Sequence, residues 1–226
     1  MKYKNLSVVI LAKNEERSLG KVIRGVKKYT DDILVVDGHS IDNTREVARK
    51  LQAKVIFDHG KGKGEAIRTA IAQAHKEILI FIDSDCSHDP RDIPKLIKPI
   101  LDGQADHVSG SRATGGSDEL YGSFGNFLRK LGNDIITLGI NYRFNVRLTE
   151  SQNGFRAIKT KVAKKLKLVE NITTIEQEMI IKTLKIGYRI GEVPTHEYKR
   201  AFGESNIKLQ KVWFRYIYSW LKYLLF

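Results

Sequence analysis

The first half of the chain alternates short β-branched runs with stretches whose apolar residues recur at helical spacing. Residues 6–12, 33–36, 54–57 and 78–82 predict strands, and residues 15–29, 42–51 and 64–75 between them predict helices. The strand runs are apolar at nearly every position, as in a sheet buried on both faces, and strand-helix-strand alternation makes such a sheet mostly parallel. Pro90 and Pro94 open a further helix, and residues 105–110 predict a fifth strand. The Gly- and Ser-rich stretch 114–125 predicts a mobile loop. Beyond it, residues 127–140 carry a helical pattern, and strands are expected at 152–158 and 189–193 around a helix near 175–184.

The last segment, residues 211–226, holds both tryptophans. Lys211, Arg215, Ser219 and Lys222 fall at helical spacing, predicting a basic stripe against an aromatic face. Crossing a bilayer takes roughly 20 apolar residues, more than this charged segment offers, so an amphipathic helix lying at a membrane surface is expected. The other reading is a helix packed on the domain itself. The expected division is a catalytic unit at 1–208 and a surface helix at 209–226.

Length and charge narrow the function. A chain of 226 residues is one domain with an appendage, and 42% hydrophobic residues exclude a disordered chain. The formal charge of +13 calls for an anionic partner: nucleic acid, acidic membrane or phosphorylated ligand. The single cysteine, Cys86, excludes an intrachain disulfide, and the apolar run at 6–12 is too short for a secretory signal. A cytoplasmic setting is therefore expected.

Open parallel sheets bind ligands beyond the carboxyl ends of their strands, and those positions are polar here. They read Lys13-Asn14-Glu15, Asp37-Gly38-His39-Ser40, Asp58-His59-Gly60-Lys61-Gly62-Lys63-Gly64 and Asp83-Ser84-Asp85. Asp83 and Asp85, two residues apart, point to the same side of an extended chain, an arrangement suited to Mg²⁺ or Mn²⁺ shared with a phosphorylated substrate. The plainer reading of Asp-Ser-Asp is a helix cap before Pro90. Asp37 on another strand end favours the cation, because gathered acids repel without one. The glycine-lysine run places Lys63 at a helix N-terminus, a setting for phosphate, though without the spacing of a P-loop. His39 and His88 read as hydrogen-bonding turn residues.

The series VVILAKNEE, VVDGHSIDNT, GKGKGEAIR, FIDSDCSHDP, GSR and GYRIGEVPTHEYKRAFGES resembles the family 2 glycosyltransferases of GT-A fold. Within them it is similar to the polyprenyl-phosphate (dolichyl-phosphate) hexose synthase group, related to dolichyl-phosphate mannose synthase, and VVDGHS is similar to archaeal enzymes that begin N-glycan assembly. The resemblance covers residues 5–208. It implies an α/β, Rossmann-like, mostly parallel sheet flanked by helices. It also implies a metal-dependent, inverting transfer of a hexose or N-acetylhexosamine from a UDP- or GDP-linked donor to dolichyl or polyprenyl phosphate at the cytoplasmic face of a membrane.

Carried over by residue, the resemblance implies donor contacts at Ala12, Asn14, Glu15, Asp37, Asp83, Asp85 and Arg200, joined by Lys63 from the glycine loop. The metal falls to Asp83 and Asp85. Arg112, Arg129 and Arg200 match basic positions near the substrate phosphates, and with Asp85 they form the expected catalytic set. Asn133, beside Arg129, joins the acceptor-phosphate pocket where the family has a serine. Ser87 stands where the family has a glutamine on the metal, and Asn206 is followed by a lysine only at Lys208. Glu178 matches an acid that serves as base in relatives with hydroxyl acceptors; beside a phosphate acceptor a positioning role is expected, with Glu150 and Gln152 as further pocket candidates.

Rival classes predict other features. A soluble transferase acting on a sugar hydroxyl would need a base and would leave the aromatic tail without a purpose. A nucleic-acid module would show stacking aromatics on a sheet face, whereas acids at the strand ends repel a phosphate backbone. A nucleotidyltransferase would carry a glycine-rich, Arg-containing loop after the first strand, which is absent.

Overall fold

The computed structural model describes residues 2–119, 124–202 and 209–226. Seven strands, β1 (Leu6–Ala12), β2 (Ile33–Asp37), β3 (Lys54–Phe57), β4 (Ile78–Asp83), β5 (His107–Ser111), β6 (Arg156–Lys159) and β7 (Ile190–Pro194), form one sheet in the order β3-β2-β1-β4-β6-β5-β7. All neighbours are parallel except β6, which is antiparallel to both β4 and β5. This is the mostly parallel α/β sheet that the alternation implies.

Alternating side chains divide the core. Val8, Ile10, Ile33, Val35, Ile78, Ile80 and Ile82 face one layer, with α1 (Leu19–Val26) and α4 (Ile93–Leu101). Val9, Leu34, Val36, Leu79 and Phe81 face the other, with α3 (Lys63–Gln73), α7 (Thr160–Lys165) and α8 (Ile175–Lys185). Both faces are thus closed off from water, which is why these strands are apolar throughout rather than alternating.

Chain order places β2 and β3 on one side of β1 and β4 on the other, so the strand order reverses between β1 and β4, where a crevice opens at the carboxyl ends. Register brings those ends level: Ala12 lies beside Asp37, and Leu11 beside Asp83.

Several boundaries differ from the sequence-based expectation. The first helix starts at Leu19, not at residue 15, because Asn14 takes a left-handed conformation (φ 57°) and the Glu15 and Glu16 amides donate to Thr44 Oγ1 and Asp42 Oδ2. The helix α2 (Thr44–Lys50) accordingly starts after Asp42. The strand expected at 152–158 shrinks to β6, since Asn153 Oδ1 accepts the Phe155 amide and turns the preceding residues out of the sheet. The stretch expected as a mobile loop, 114–125, takes in the end of the helix α5 (Arg112–Gly115) and the start of α6 (Phe124–Phe144); residues 120–123 lie outside the described residues. Residues 203–208, with Asn206 and Lys208, also lie outside them.

The terminal helix α9 (Leu209–Leu225) packs on the domain through one face. Tyr223 and Leu224 join Ile136 and Ile140 of α6 and Ile180 and Ile181 of α8 in a third core, with Tyr216 and Trp220 packed against it. Gly139 makes this possible: a Cβ there would lie 2.2 Å from the Trp220 ring. The basic stripe expected at 211, 215, 219 and 222 is interrupted, because Ser219 is fully buried on the packed side. The opposite face, Trp213, Phe214, Ile217, Tyr218 and Leu221, stays exposed, as do Phe127, Leu131, Ile135 and Leu138 of α6. Among the described residues no helix is long and apolar enough to cross a membrane.

Candidate functional site

The strand ends build two adjoining parts. The first is a ledge after β1 and β2. The Ser40 amide donates to Asp37 Oδ2, Ser40 Oγ accepts the Asn14 amide, and Asn14 Oδ1 accepts the Ile41 amide, tying the two loops together. Asp37 is fully buried, yet its Oδ1 has no hydrogen-bond partner among the described residues, so one carboxylate oxygen is left for an outside donor. Burial pushes the Glu15 carboxyl up, and Asp85 nearby adds to it.

The second part is a cavity of about 520 Å³ beyond β4. Lys63, Asp83, Arg112, Arg129, Asn133 and Arg200 all line it, so six of the expected site residues come together. Asp85 adjoins it: its Oδ1 accepts from the Ser87 amide and hydroxyl, and Arg200 Nη1 lies 3.3 Å from its Oδ2. Ala12, Asn14, Glu15 and Asp37 belong to the ledge and do not line the cavity.

Lys63 is the first residue of α3. The loop before it is set by close approach: a Cβ on Gly64 would lie 2.2 Å from the Glu170 carbonyl oxygen, and Gly62 has φ 110°. Lys63 Nζ bridges Asp83 Oδ1 and Glu176 Oε1 at 3.0 Å each. Burial works against the ammonium, but the two carboxylates outweigh it and hold its pKa above the usual value. Burial likewise works against the Asp83 carboxylate, and Lys63 overrides it, keeping its pKa low.

Glu65, in the first turn of α3, holds the loop from the other side. Its carboxylate accepts from the His59 amide at 2.7 Å, from His59 Nδ1 and from Thr69 Oγ1. Burial would raise its pKa, yet these hydrogen bonds bring it down from 4.5 to about 2. A folded-state pKa below the unfolded one stabilises fully above about pH 4.5, and the contribution fades as pH falls toward 2. Glu65→Gln is therefore expected to cost about 1–3 kcal/mol at pH 7 and much less near pH 3, read by urea unfolding at both. An equal cost at the two pH values would show that this carboxylate does not hold the loop.

Arg112 is already engaged. Its backbone N–H and Nε donate to Glu150 at 2.7 Å, and Nη1 donates to Glu197 Oε1 at 2.9 Å. Burial works to lower its pKa, and the two carboxylates more than reverse this. Arg129 is half-buried on the α6 wall and forms no ion pair among the described residues, so its charge faces the cavity uncompensated. Asn133 Oδ1 accepts from the Ser151 amide and hydroxyl at 3.3 and 3.2 Å, tying α6 to the loop before β6.

Some lining residues had no sequence signal. Glu176, Thr173, Glu197, Tyr216 and Trp220 line the cavity, and so does His88, which reads as a turn residue in sequence. Glu178 turns away instead: it accepts from the Val169 and Glu170 amides at 2.9 Å and pairs with Lys182 at 2.6 Å, holding the loop that abuts Gly64. Helical residues two apart point roughly 200° from each other, so only one of Glu176 and Glu178 can face the cavity.

Much of the remaining lining is apolar. Leu128, Ile135 and Ile136 of α6 and Trp213, Ile217 and Trp220 of α9 line the same cavity as the charged residues. A ligand with an anionic head and a hydrocarbon body matches both parts of this lining. As to a metal, Asp83 and Asp85 offer oxygen donors of the type that suits Mg²⁺ or Mn²⁺; among the described residues no three His, Cys, Asp or Glu side chains gather into a complete set.

Comparison with known proteins agrees with this geometry. A dolichyl-phosphate hexose transferase of Haloferax volcanii is 29% identical over 208 residues, covering 91% of this chain and 87% of that protein. An uncharacterized protein of Methanocaldococcus jannaschii is 33% identical over 226 residues, covering 93% and 90%. Glucosyl-3-phosphoglycerate synthase from Mycobacterium tuberculosis, in complex with Mn²⁺, UDP and glucosyl-3-phosphoglycerate, shares the fold with a TM-score of 0.76, over 98% of this chain and 80% of that one at 22% identity. The family model described as Glycosyl transferase family 2 matches residues 7–167, most of the sheet and its strand-end loops, so this chain belongs to glycosyl transferase family 2 and is a glycosyltransferase.

Proposed function

We propose that this chain moves a hexose or N-acetylhexosamine from a UDP- or GDP-linked donor to the phosphate of dolichyl or another polyprenyl phosphate, inverting the sugar at its anomeric carbon. The observation that carries this reading is the mixed lining of one cavity: the cations Lys63, Arg129 and Arg200 together with apolar side chains of α6 and α9. The similarity to a dolichyl-phosphate hexose transferase supports the acceptor, and the shared fold of glucosyl-3-phosphoglycerate synthase, also solved in complex with Mn²⁺ and UDP-glucose, supports the donor class.

In this reading the ledge of Ala12, Asn14, Glu15 and Asp37 holds the nucleoside, and the free Asp37 oxygen accepts a hydrogen bond from it. A divalent cation on Asp83 and Asp85 would take up charge on the departing diphosphate. Lys63 and Arg200, which neutralise those carboxylates here, are the cations beside them that would pair with the donor phosphates once a cation took over the carboxylates. Arg129 meets the acceptor phosphate, and Arg112, held by Glu150 and Glu197, adds a second guanidinium to the cavity wall. The acceptor oxygen forms the new bond to the anomeric carbon as the bond from that carbon to the nucleoside diphosphate breaks. A phosphate monoester, with a second pKa of about 6, is already an anionic nucleophile at neutral pH, so no side chain needs to take a proton.

In this reading the protein docks on an anionic membrane at its cytoplasmic side, which the exposed apolar faces of α6 and α9 and the +13 charge support. The test is transfer of radiolabel from UDP- and GDP-sugars to an extractable polyprenyl phosphate, with EDTA and no-lipid controls. Metal-dependent label in the organic phase is expected; label confined to the aqueous phase would replace this reading with a soluble acceptor. Phe214→Ser with Tyr218→Ser and Leu221→Ser, which alter exposed positions of α9 that do not line the cavity, is expected to cut sedimentation with anionic vesicles about tenfold or more. Unchanged sedimentation would remove the membrane from the proposal.

A further inference from the structure

One polar wall of the cavity is used neither by the phosphates nor by the lipid. Glu176 is almost fully buried at the start of α8, its carbonyl held by Arg156 Nη1 at 2.9 Å. Lys63 fixes its Oε1, while its Oε2 finds no hydrogen-bond partner among the described residues. The same ammonium nitrogen lies 3.0 Å from Asp83 Oδ1, so Glu176 is an immediate neighbour of the carboxylate pair proposed to carry the donor diphosphate.

Gln152 supplies a second free acceptor, and a chain of hydrogen bonds fixes its direction. The Tyr216 backbone carbonyl can only accept, so it draws Gln177 Nε2 to it at 2.9 Å and turns Gln177 Oε1 toward Gln152. Gln152 must then donate Nε2, at 2.9 Å, which leaves its Oε1 buried and unpartnered. Gly154, two residues on, passes so close to Lys63 and Asp83 that a Cβ would lie 2.8 Å from Lys63 Nζ, keeping this loop against the same spot.

Two buried acceptors beside a diphosphate site call for a ligand that donates hydrogen bonds and carries no negative charge. Deprotonated phosphate oxygens have no proton to give, and a free carboxylate oxygen repels them. The hydroxyls of a sugar attached to the diphosphate have the right chemistry and lie next to it.

We propose that Glu176 Oε2 and Gln152 Oε1 form the hydroxyl-reading subsite for the donor sugar, and so determine which sugar is transferred. This rests on the nucleotide-sugar reading above. Buried acceptors left unpaired by a wrong hydroxyl pattern penalise that sugar, and each such bond is worth about 10- to 100-fold in discrimination.

The test compares kcat/KM for UDP-glucose, UDP-galactose, UDP-N-acetylglucosamine and GDP-mannose in the unaltered chain, Gln152→Ala and Glu176→Gln. In the latter, the amide oxygen turns to Lys63 and the NH2 to the cavity, replacing an acceptor with a donor. Binding of UDP and GDP with Mn²⁺ is measured alongside by calorimetry. The ratio between the best donor and the others sharing its nucleotide, or GDP-mannose against UDP-glucose, is expected to fall about tenfold or more in both variants. In Gln152→Ala the nucleoside diphosphate affinity is expected to stay within about twofold. An equal loss for every donor, as a proton-transfer or purely structural role would produce, overturns the assignment. So does a loss of nucleoside diphosphate affinity that matches the loss of turnover in Gln152→Ala. Failure of the unaltered chain to bind either nucleoside diphosphate would overturn the nucleotide-sugar reading itself and remove the basis of this subsite.

Discussion

Asp85→Asn is expected to lower metal-dependent transfer by about 10²- to 10³-fold while leaving the fold intact. The amide keeps an oxygen for the Ser87 amide and hydroxyl, so the turn after β4 survives. What is lost is the charge that faces Arg200 at 3.3 Å and that would hold a hard cation on the departing diphosphate. Electrostatic stabilisation of a leaving group is commonly worth about 3–4 kcal/mol, enough for the expected fall. The checks are initial transfer rates across a Mn²⁺ titration and a thermal unfolding curve. Wild-type rates in this variant would remove Asp85 from the proposed mechanism; an unfolded variant would move its role to the scaffold.

Arg112→Ala is expected to cost stability before it costs anything else. Its removal strands Glu150, only 1% exposed at its side chain, and Glu197 without their shared cation. Breaking a buried pair from one side typically costs about 3–5 kcal/mol, a large part of the stability of a domain of this size. Lysine is expected to rescue little, because a single ammonium does not reproduce the fork that serves two carboxylates at once. Denaturant unfolding of Arg112→Ala and Arg112→Lys checks this. If both variants keep wild-type stability and lose only affinity for the lipid phosphate, the guanidinium is an acceptor ligand and the two carboxylates serve merely to aim it.

Both expectations separate what residue types announce from what contacts decide. Leu6–Ala12 and Ile78–Asp83 are legible as buried strands because backbone pairing on two sides and helices on two faces leave water no access, and only apolar, β-branched runs survive there. The position of the acids follows from the same rule, since residues directly after each strand of a parallel sheet have nowhere to go but the crevice. Asp83, Asp85 and Lys63 were therefore readable as a group. Arg112 and Arg129 were readable as cations but not as different ones: the first is enclosed by Glu150 and Glu197, from loops 38 and 85 residues away, and the second lines the cavity with no ion pair among the described residues. Glu178 drew attention in sequence over Glu176, and only the pitch of α8 and its rotation against α3 decide which of the two reaches Lys63.

The terminal helix makes the same point at larger scale. Its spacing announces an amphipathic helix, but Ser219, the gap in the basic stripe, turns inward against α6 and α8, and the aromatics divide between a packed and an exposed face. By itself the sequence determined the strand-helix alternation, the acids and the glycine-lysine loop at the strand ends, and the resemblance that named the family. These depend on residue type and on spacing along the chain, which local sterics and burial read directly. The tertiary structure decided which charges are spent on one another, which carboxylate of α8 faces the cavity, and that α6 and α9 line it with apolar side chains. Those outcomes depend on residues distant in sequence meeting in space, where a buried charge must find its partner or a ligand, and no local pattern encodes which.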